Sequence, residues 1–199
     1  MRKIRALPKI ALVSLALTLL AAIAGTSLAV ARSGGGSPPP GLSRMSATGT
    51  PVALPAATIA KLHLTSFSRI SLMASHGQMR FYRLDRGAGT PCFARGRTDA
   101  PYPIGMIACR TAAPYFPSAD MPILDLSTVE ISGTDGPHLL RAEGFAADGV
   151  AAVALVDGHG SIVKRLPVTG NVYYDDEVPN NATGLEALAA DGQTLAQIP

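Results

Sequence analysis

The chain has 199 residues, of which 47% are hydrophobic, 16% charged and 5% aromatic, with 20 Gly, 16 Pro, two Cys and no Trp. This suits one domain of ordinary size with appendages and argues against a coiled coil, a multi-pass membrane protein and a charged disordered chain. The whole chain carries 17 bases and 14 acids, but four of the bases (Arg2, Lys3, Arg5 and Lys9) lie in the first nine residues, so residues 32–199 hold 13 bases against 14 acids, a net of −1. Nucleic-acid binding needs a basic domain, and no nucleic-acid partner is expected.

Those four bases precede an apolar run, Ile10 to Ile23, broken only by Ser14 and Thr18, and Ala29-Val30-Ala31 follows as a small-residue cleavage pattern. That is the order of a secretory signal. Read to its end, Ile10 to Ala31 has no charge and would make about 33 Å of helix, enough to span a bilayer. The segment 1–31 is therefore a signal peptide or a single membrane anchor. In either case residues 32–199 are expected outside the cytoplasm, membrane-anchored or secreted after cleavage near Ala31. Residues 32–52, with Ser33-Gly-Gly-Gly-Ser-Pro-Pro-Pro-Gly41, read as a flexible linker. Residues 53–199 read as one extracytoplasmic domain.

Within that domain, residues 55–75 are the one stretch expected to be helical, with Pro55 suited to a first turn and Ile59, Leu62 and Phe67 or Ile70 forming an apolar face. After Gly77 the signals are those of strands. Asp-Gly occurs at Asp135, Asp148, Asp157 and Asp191, and this dipeptide accepts the positive φ angles of tight turns. Val150–Val156 and Ser161–Val168 predict a hairpin around Asp157-Gly-His-Gly160, with Val153 and Leu155 inward and Lys164 or Arg165 toward water. Leu139–Phe145 and Val129-Glu-Ile131 read as further strands, and Leu185–Ala189 with Thr194–Ile198 as a second hairpin. The expected fold is mainly β: a small antiparallel sandwich or barrel with one or two short N-terminal helices. No βαβ alternation is present, which argues against a dinucleotide crevice.

Cys92 and Cys109 are the two cysteines. Outside the cytoplasm a disulfide is the default, and a turn around Thr98–Pro103 would set their strands, Pro91–Arg97 and Ile104–Arg110, side by side. No His stands beside them to suggest a metal site or an activated thiol. The sequence has no G-x-S-x-G elbow, and His63, His76, His138 and His159 show no metal-binding spacing. Gly87-Ala-Gly89 and Gly158-His-Gly160 read as turns. Asp175, Asp176 and Glu177, followed by Asn180 and Asn181, are the densest set of oxygen ligands and a candidate cation-binding loop, against the simpler reading of a solvated acidic loop. No cofactor and no transition-metal site is expected.

The charges are unevenly placed. From residue 45 to 110 there are eight bases and two acids; from 111 to 199 there are three bases and twelve acids. Six of the eight are Arg80, Arg83, Arg86, Arg95, Arg97 and Arg110. Either the two parts dock, with these arginines paired to acids such as Asp175, Asp176 and Glu177, or the arginines form a surface for anionic lipid or polymer.

The segment Gly144-Phe-Ala-Ala-Asp-Gly-Val-Ala-Ala-Val153, with Leu166-Pro-Val-Thr-Gly-Asn-Val-Tyr173, resembles a pattern in uncharacterised exported β-rich proteins of actinobacteria. The likeness covers roughly residues 78–175 and includes the upstream pair of cysteines. It implies an exported β-rich domain and carries no activity. The resulting expectation is a non-catalytic envelope binding or interaction protein, its partners the membrane through the N-terminal segment and an envelope protein or anionic polymer. The alternatives are an extracytoplasmic hydrolase using carboxylates such as Asp175, Asp176 or Glu177, for which adjacent residues of a strand are ill placed, and a structural accessory subunit of an envelope complex. Exposed aromatics such as Tyr173 and Tyr174 would favour the binder.

Overall fold

From Arg69 onward this chain is organised by strands. The structure, a computed structural model, describes residues 41–87, 89–109, 113–132 and 136–198. Among them the strands in chain order are β1 (Thr50–Pro51), β2 (Arg69–His76), β3 (Met79–Asp85), β4 (Cys92–Arg97), β5 (Met106–Ala108), β6 (Ile123–Asp125), β7 (Thr128–Ser132), β8 (Gly136–Ala146), β9 (Ala152–Asp157), β10 (Ile162–Pro167), β11 (Val172–Asp175), β12 (Ala182–Leu188) and β13 (Thr194–Ile198). They form three antiparallel sheets. One is the meander β1-β2-β3-β4-β5, one is β11-β8-β6 with β7 also on β8, and one is β10-β9-β12-β13. The fold is mainly β, as the turn spacing predicts.

The β8 sheet lies between the other two. Ala142, Ala146 and Tyr173 pack with Val153, Leu155, Leu166, Leu185 and Ala187 of the four-stranded sheet. From the opposite face Phe145 and Val172 pack with Phe81 and Phe93 of the meander, together with Phe116 and Leu124. Phe93 meets Phe116 edge-on at 5.0 Å and Phe145 tilted at 4.9 Å, geometries that ring quadrupoles favour. On the other face of β8, Gly144 makes room for Tyr173. A Cβ there would meet the Leu124 carbonyl and come within 2.5 Å of the Tyr173 hydroxyl.

The meander is covered on its second face by the one α-helix of the described residues, α1 (Ala56–Lys61), and a 3-10 turn at Leu64–Ser66. Leu64 packs with Tyr82, Leu84, Cys92, Ala94 and Ile104, and Ile59, Leu62 and Phe67 lie against them. The helix expected over 55–75 therefore stops early, and 69–75 is strand. His63 adopts a left-handed conformation, φ 52°, that closes α1. Thr65, Ser68 and Ser71 oppose continuation, while Ile70 and Leu72 alternate onto the same apolar layer.

Both expected hairpins form. In β9–β10 the turn is closed by hydrogen bonds from Asp157 N–H to Ser161 O (3.0 Å) and from Gly160 N–H to Asp157 O (2.9 Å). Val153 and Leu155 are fully buried, and Arg165 is exposed. Ala154 is buried as well, because β9 is an inner strand flanked by β10 and β12. β12 and β13 pair across the Asp191-Gly192 turn, where Gly192 has φ +85°. Asp135 lies outside the described residues.

Residues 41–52, assigned above to the linker, belong to the folded body. Leu42 is buried in the core, and Thr50 and Pro51 pair with Leu72 and Ser71. The segment 1–31 lies outside the described residues, and no described helix is long and apolar enough to cross a membrane.

Candidate functional site

The end of the presumed linker forms a strap, residues 41–47, tied down by two polar residues of the loops that flank β8 and β11. Asp148 Oδ1 accepts hydrogen bonds from Ser46 N–H (2.7 Å), Ser46 Oγ (3.1 Å) and Asn171 Nδ2 (3.0 Å). Asp148 N–H in turn donates to the Arg44 carbonyl at 2.9 Å. Asn171 Oδ1 accepts from Ala47 N–H at 3.1 Å, while its Nδ2 also donates to the Ala146 carbonyl at 2.9 Å. Asn171 holds φ +64°, a conformation Asn tolerates better than most residues. Burial raises the Asp148 carboxyl, but the hydrogen bonds from Ser46 and Asn171 outweigh it and leave the group below the ordinary aspartate value. Asp148-Gly149, read as a hairpin signal, thus serves as an anchor for the strap.

Between the strap and the meander lies an open cleft of about 590 Å³. Met45, Pro91, Phe93 and Pro117 give it apolar walls; Ser43, Arg44, Ser46, Arg83 and Asp148 give it polar groups. Arg83 reaches it from β3. In register Arg83 is opposite Phe93 and Phe81 opposite Arg95, and directly opposed residues share a face. Arg83, Arg95 and Arg97 are therefore on the side of the meander that meets the β8 sheet.

The arginines grouped by sequence separate in space. Arg83 Nε is 2.8 Å from Asp85, and Arg97 Nη2 is 2.6 Å from Asp99; both are pairs within the basic segment itself. Arg80, on the opposite face, donates to the Gly77 and Met79 carbonyls at 2.7 and 2.8 Å. Arg86 lies over the Phe67 ring at 4.9 Å, with Nη2 3.7 Å from Cys109 Sγ. Arg110 lies outside the described residues. Of the described five, only Arg95 pairs with an acid of the acidic half, and its partner is Glu143, at 2.5 Å, and none of Asp175, Asp176 and Glu177.

Glu143 belongs to β8, the strand shared by β6, β7 and β11. Its side chain is fully buried between the meander and the β8 sheet, with Arg141 Nη1 a further 3.7 Å from Oε1. Burial pushes its carboxyl above the ordinary glutamate value, the Arg95 and Arg141 charges pull it back, and Asp125 adds to the rise. Asp125 is fixed by Ser127 Oγ at 2.5 Å and by the Tyr173 hydroxyl at 3.2 Å, and Ser127 Oγ accepts from Glu143 N–H at 3.1 Å. Tyr173 is fully buried, and desolvation followed by the Asp125 charge raises its phenol well above the usual value. It is therefore no exposed binding aromatic. Tyr174 is half-buried, stacked on His76 at 5.1 Å, with its hydroxyl donating to Asp176 at 3.2 Å.

The acidic loop is dispersed. Asp175 faces Lys164 of β10, 2.7 Å away, Asp176 engages Tyr174, and the Glu177 carbonyl accepts from Lys164 Nζ at 3.0 Å. Among the described residues no three His, Cys, Asp or Glu side chains gather as metal ligands would. Cys92 and Cys109 are bonded across β4 and β5, with Cα atoms 4.4 Å apart, one register step beyond the Phe93–Ala108 pair. No family model, curated protein or solved structure matches this chain.

Proposed function

We propose that the chain is a non-catalytic binding module of the cell envelope, working on the outer side of the membrane and engaging its ligand through the cleft between the strap and the meander. The cleft itself carries this reading: it combines apolar walls with a charged rim, on a frame already held in place by Leu42, Asp148 and Asn171. Such a combination suits ligand capture. The Cys92–Cys109 bond supports an oxidising compartment, and the basic run followed by an apolar segment at the N-terminus supports export.

The test is retention. Full-length chain purified in neutral detergent and immobilised through a C-terminal tag is expected to hold anionic components from a detergent extract of envelopes. Retention should fall as salt rises, since ionic screening weakens exposed charge contacts. A chain that retains neither acidic phospholipid nor acidic polymer at low salt would sink the reading.

A further inference from the structure

We infer that in the anchored form of the chain one end of the domain rests on the bilayer, with residues 43–46 of the strap and the Asp148-Gly149 and Gly170-Asn171 turns against lipid headgroups. This rests on residues 1–31 holding the chain at the outer side of the membrane, and it adds which surface meets the lipid.

The strands define two ends. At one, the close of β8 and the start of β9 come together with the strap. A Cβ on Gly41 would stand 3.1 Å from Asp148 Cβ, Ala146 N–H donates to the Asn171 carbonyl at 2.9 Å, and Ala151 N–H donates to the Leu188 carbonyl at 2.8 Å. The cleft opens at this end, beside Ser43, Arg44 and Asp148. At the other end lie the start of β8, the β9–β10 turn at Asp157–Gly160 and the loop after β11, because β8 is antiparallel to β11 and β9 to β10 and β12.

The length of the tether decides which end reaches the membrane. Leu42 is buried in the core, so the tether between the anchor and the folded body is only residues 32–40. Nine residues reach at most about 32 Å, and crossing the headgroup layer takes about 6 Å of that. β8 has eleven residues and is about 35 Å long. With the far end on the lipid, Gly41 would stand farther from the membrane than the tether extends. Charge favours the upright pose over one lying on its side. At the strap end Arg44, Arg69, Arg83 and Arg86 match Asp85, Asp120, Asp148 and Asp191 in number. At the far end the pairs Lys164–Asp175 and Arg97–Asp99 cancel, and among the described residues Glu130, Asp157, Asp176 and Glu177 outnumber Arg80. An anionic surface repels such an end within about a Debye length.

The test uses the full chain, reconstituted through its own N-terminal segment into nanodiscs of phosphatidylglycerol and phosphatidylcholine that contain a lipid spin-labelled on its headgroup. Ser43→Cys and His159→Cys each carry one fluorophore, on the strap and on the far turn. Both positions are exposed, and Cys92 and Cys109 are bonded to each other, so each variant takes its label at one place. The label at 43 is expected to lose most of its emission relative to discs without the spin-labelled lipid, and the label at 159 to keep nearly all of it. A flexible Gly/Ser insertion that about triples the tether frees the body to turn, and the contrast between the two labels should shrink.

Equal quenching at the two positions, stronger quenching at 159, or a contrast unchanged by the insertion would overturn the inference. If the contrast is seen but the chain retains no envelope anions, the orientation stands and the binding-module reading falls. If the chain does not enter the discs, residues 1–31 are no anchor and the inference falls, while retention by the cleft is scored independently.

Discussion

Arg95→Met is expected to destabilise the protein by about 3 kcal/mol near neutral pH, and the loss should shrink as the solution is made more acid. Arg95 is the close counter-ion of a carboxylate whose side chain has no solvent exposure. Without it, Glu143 keeps only the Arg141 group 3.7 Å away, while Asp125 still pushes against its charge. The direction with pH follows from where protons bind. Burial already places the folded-state value of Glu143 above that of an unfolded glutamate, so between the two values the folded state holds more protons. Stability therefore falls as pH rises through that window. Removing Arg95 raises the folded value further and widens the window, so the variant's stability should go on falling to higher pH than the parent's. Urea denaturation across that range measures both slopes. In a double-mutant cycle, Arg95→Met combined with Glu143→Gln leaves no charge buried and should recover roughly 2 kcal/mol relative to Arg95→Met alone. A single variant within 1 kcal/mol of the parent, with a parallel pH profile, would show that solvent reaches Glu143 and that the pair does not tie the sheets together.

The same residue shows where sequence reading stops. The charges at Arg141 and Glu143 alternate with small and apolar neighbours along β8, and alternation identifies a shared face correctly. It cannot say that a second sheet covers that face, because the covering strands β3 and β4 are distant in sequence and carry arginines of their own. The uneven charge distribution did hold the signal: an arginine of the basic half meets an acid of the acidic half, although at Glu143 and not in the acidic loop. The strap escaped for a different reason. Gly, Ser and Pro around residues 33–52 look like linker, while Leu42, Met45 and Val52, isolated among them, pack on three different core clusters and fold 41–52 onto the body. Asp148 and Asn171, which hold it, sit in turn-like sequences whose local pattern is satisfied by an ordinary turn. The hairpins and the cysteine pairing were legible because each depends on a short stretch of chain, where turn residues fix the register.

Reduction of the Cys92–Cys109 bond, or the double change Cys92→Ala with Cys109→Ala, is expected to lower stability by about 3 kcal/mol in the chain-entropy account of a loop this size. The two residues are 17 apart in sequence. The loss should be concentrated at one edge. β5 has three residues and is the terminal strand of the meander, paired only with β4, so the covalent bond is a large part of what holds it there. Amide exchange at Met106–Ala108 is expected to accelerate strongly after reduction, while the β3–β4 ladder, anchored by Phe81 and Phe93 in the aromatic core, changes much less. Reduction should also be slow in the folded protein. Cys92 is 1% exposed and packed with Leu64, Tyr82 and Leu84, so a reductant reaches the pair from the Cys109 side. Attack there puts the reductant on Cys109 Sγ and expels Cys92 as the thiolate, among apolar side chains that disfavour its charge. The rate of reduction is accordingly expected to be set by this step, and the stability lost on completing it by the loop the bond closes. Thiol alkylation followed in time, with urea midpoints before and after, separates the two effects. Identical midpoints in the oxidised and fully alkylated protein would mean that β5 is held by packing alone.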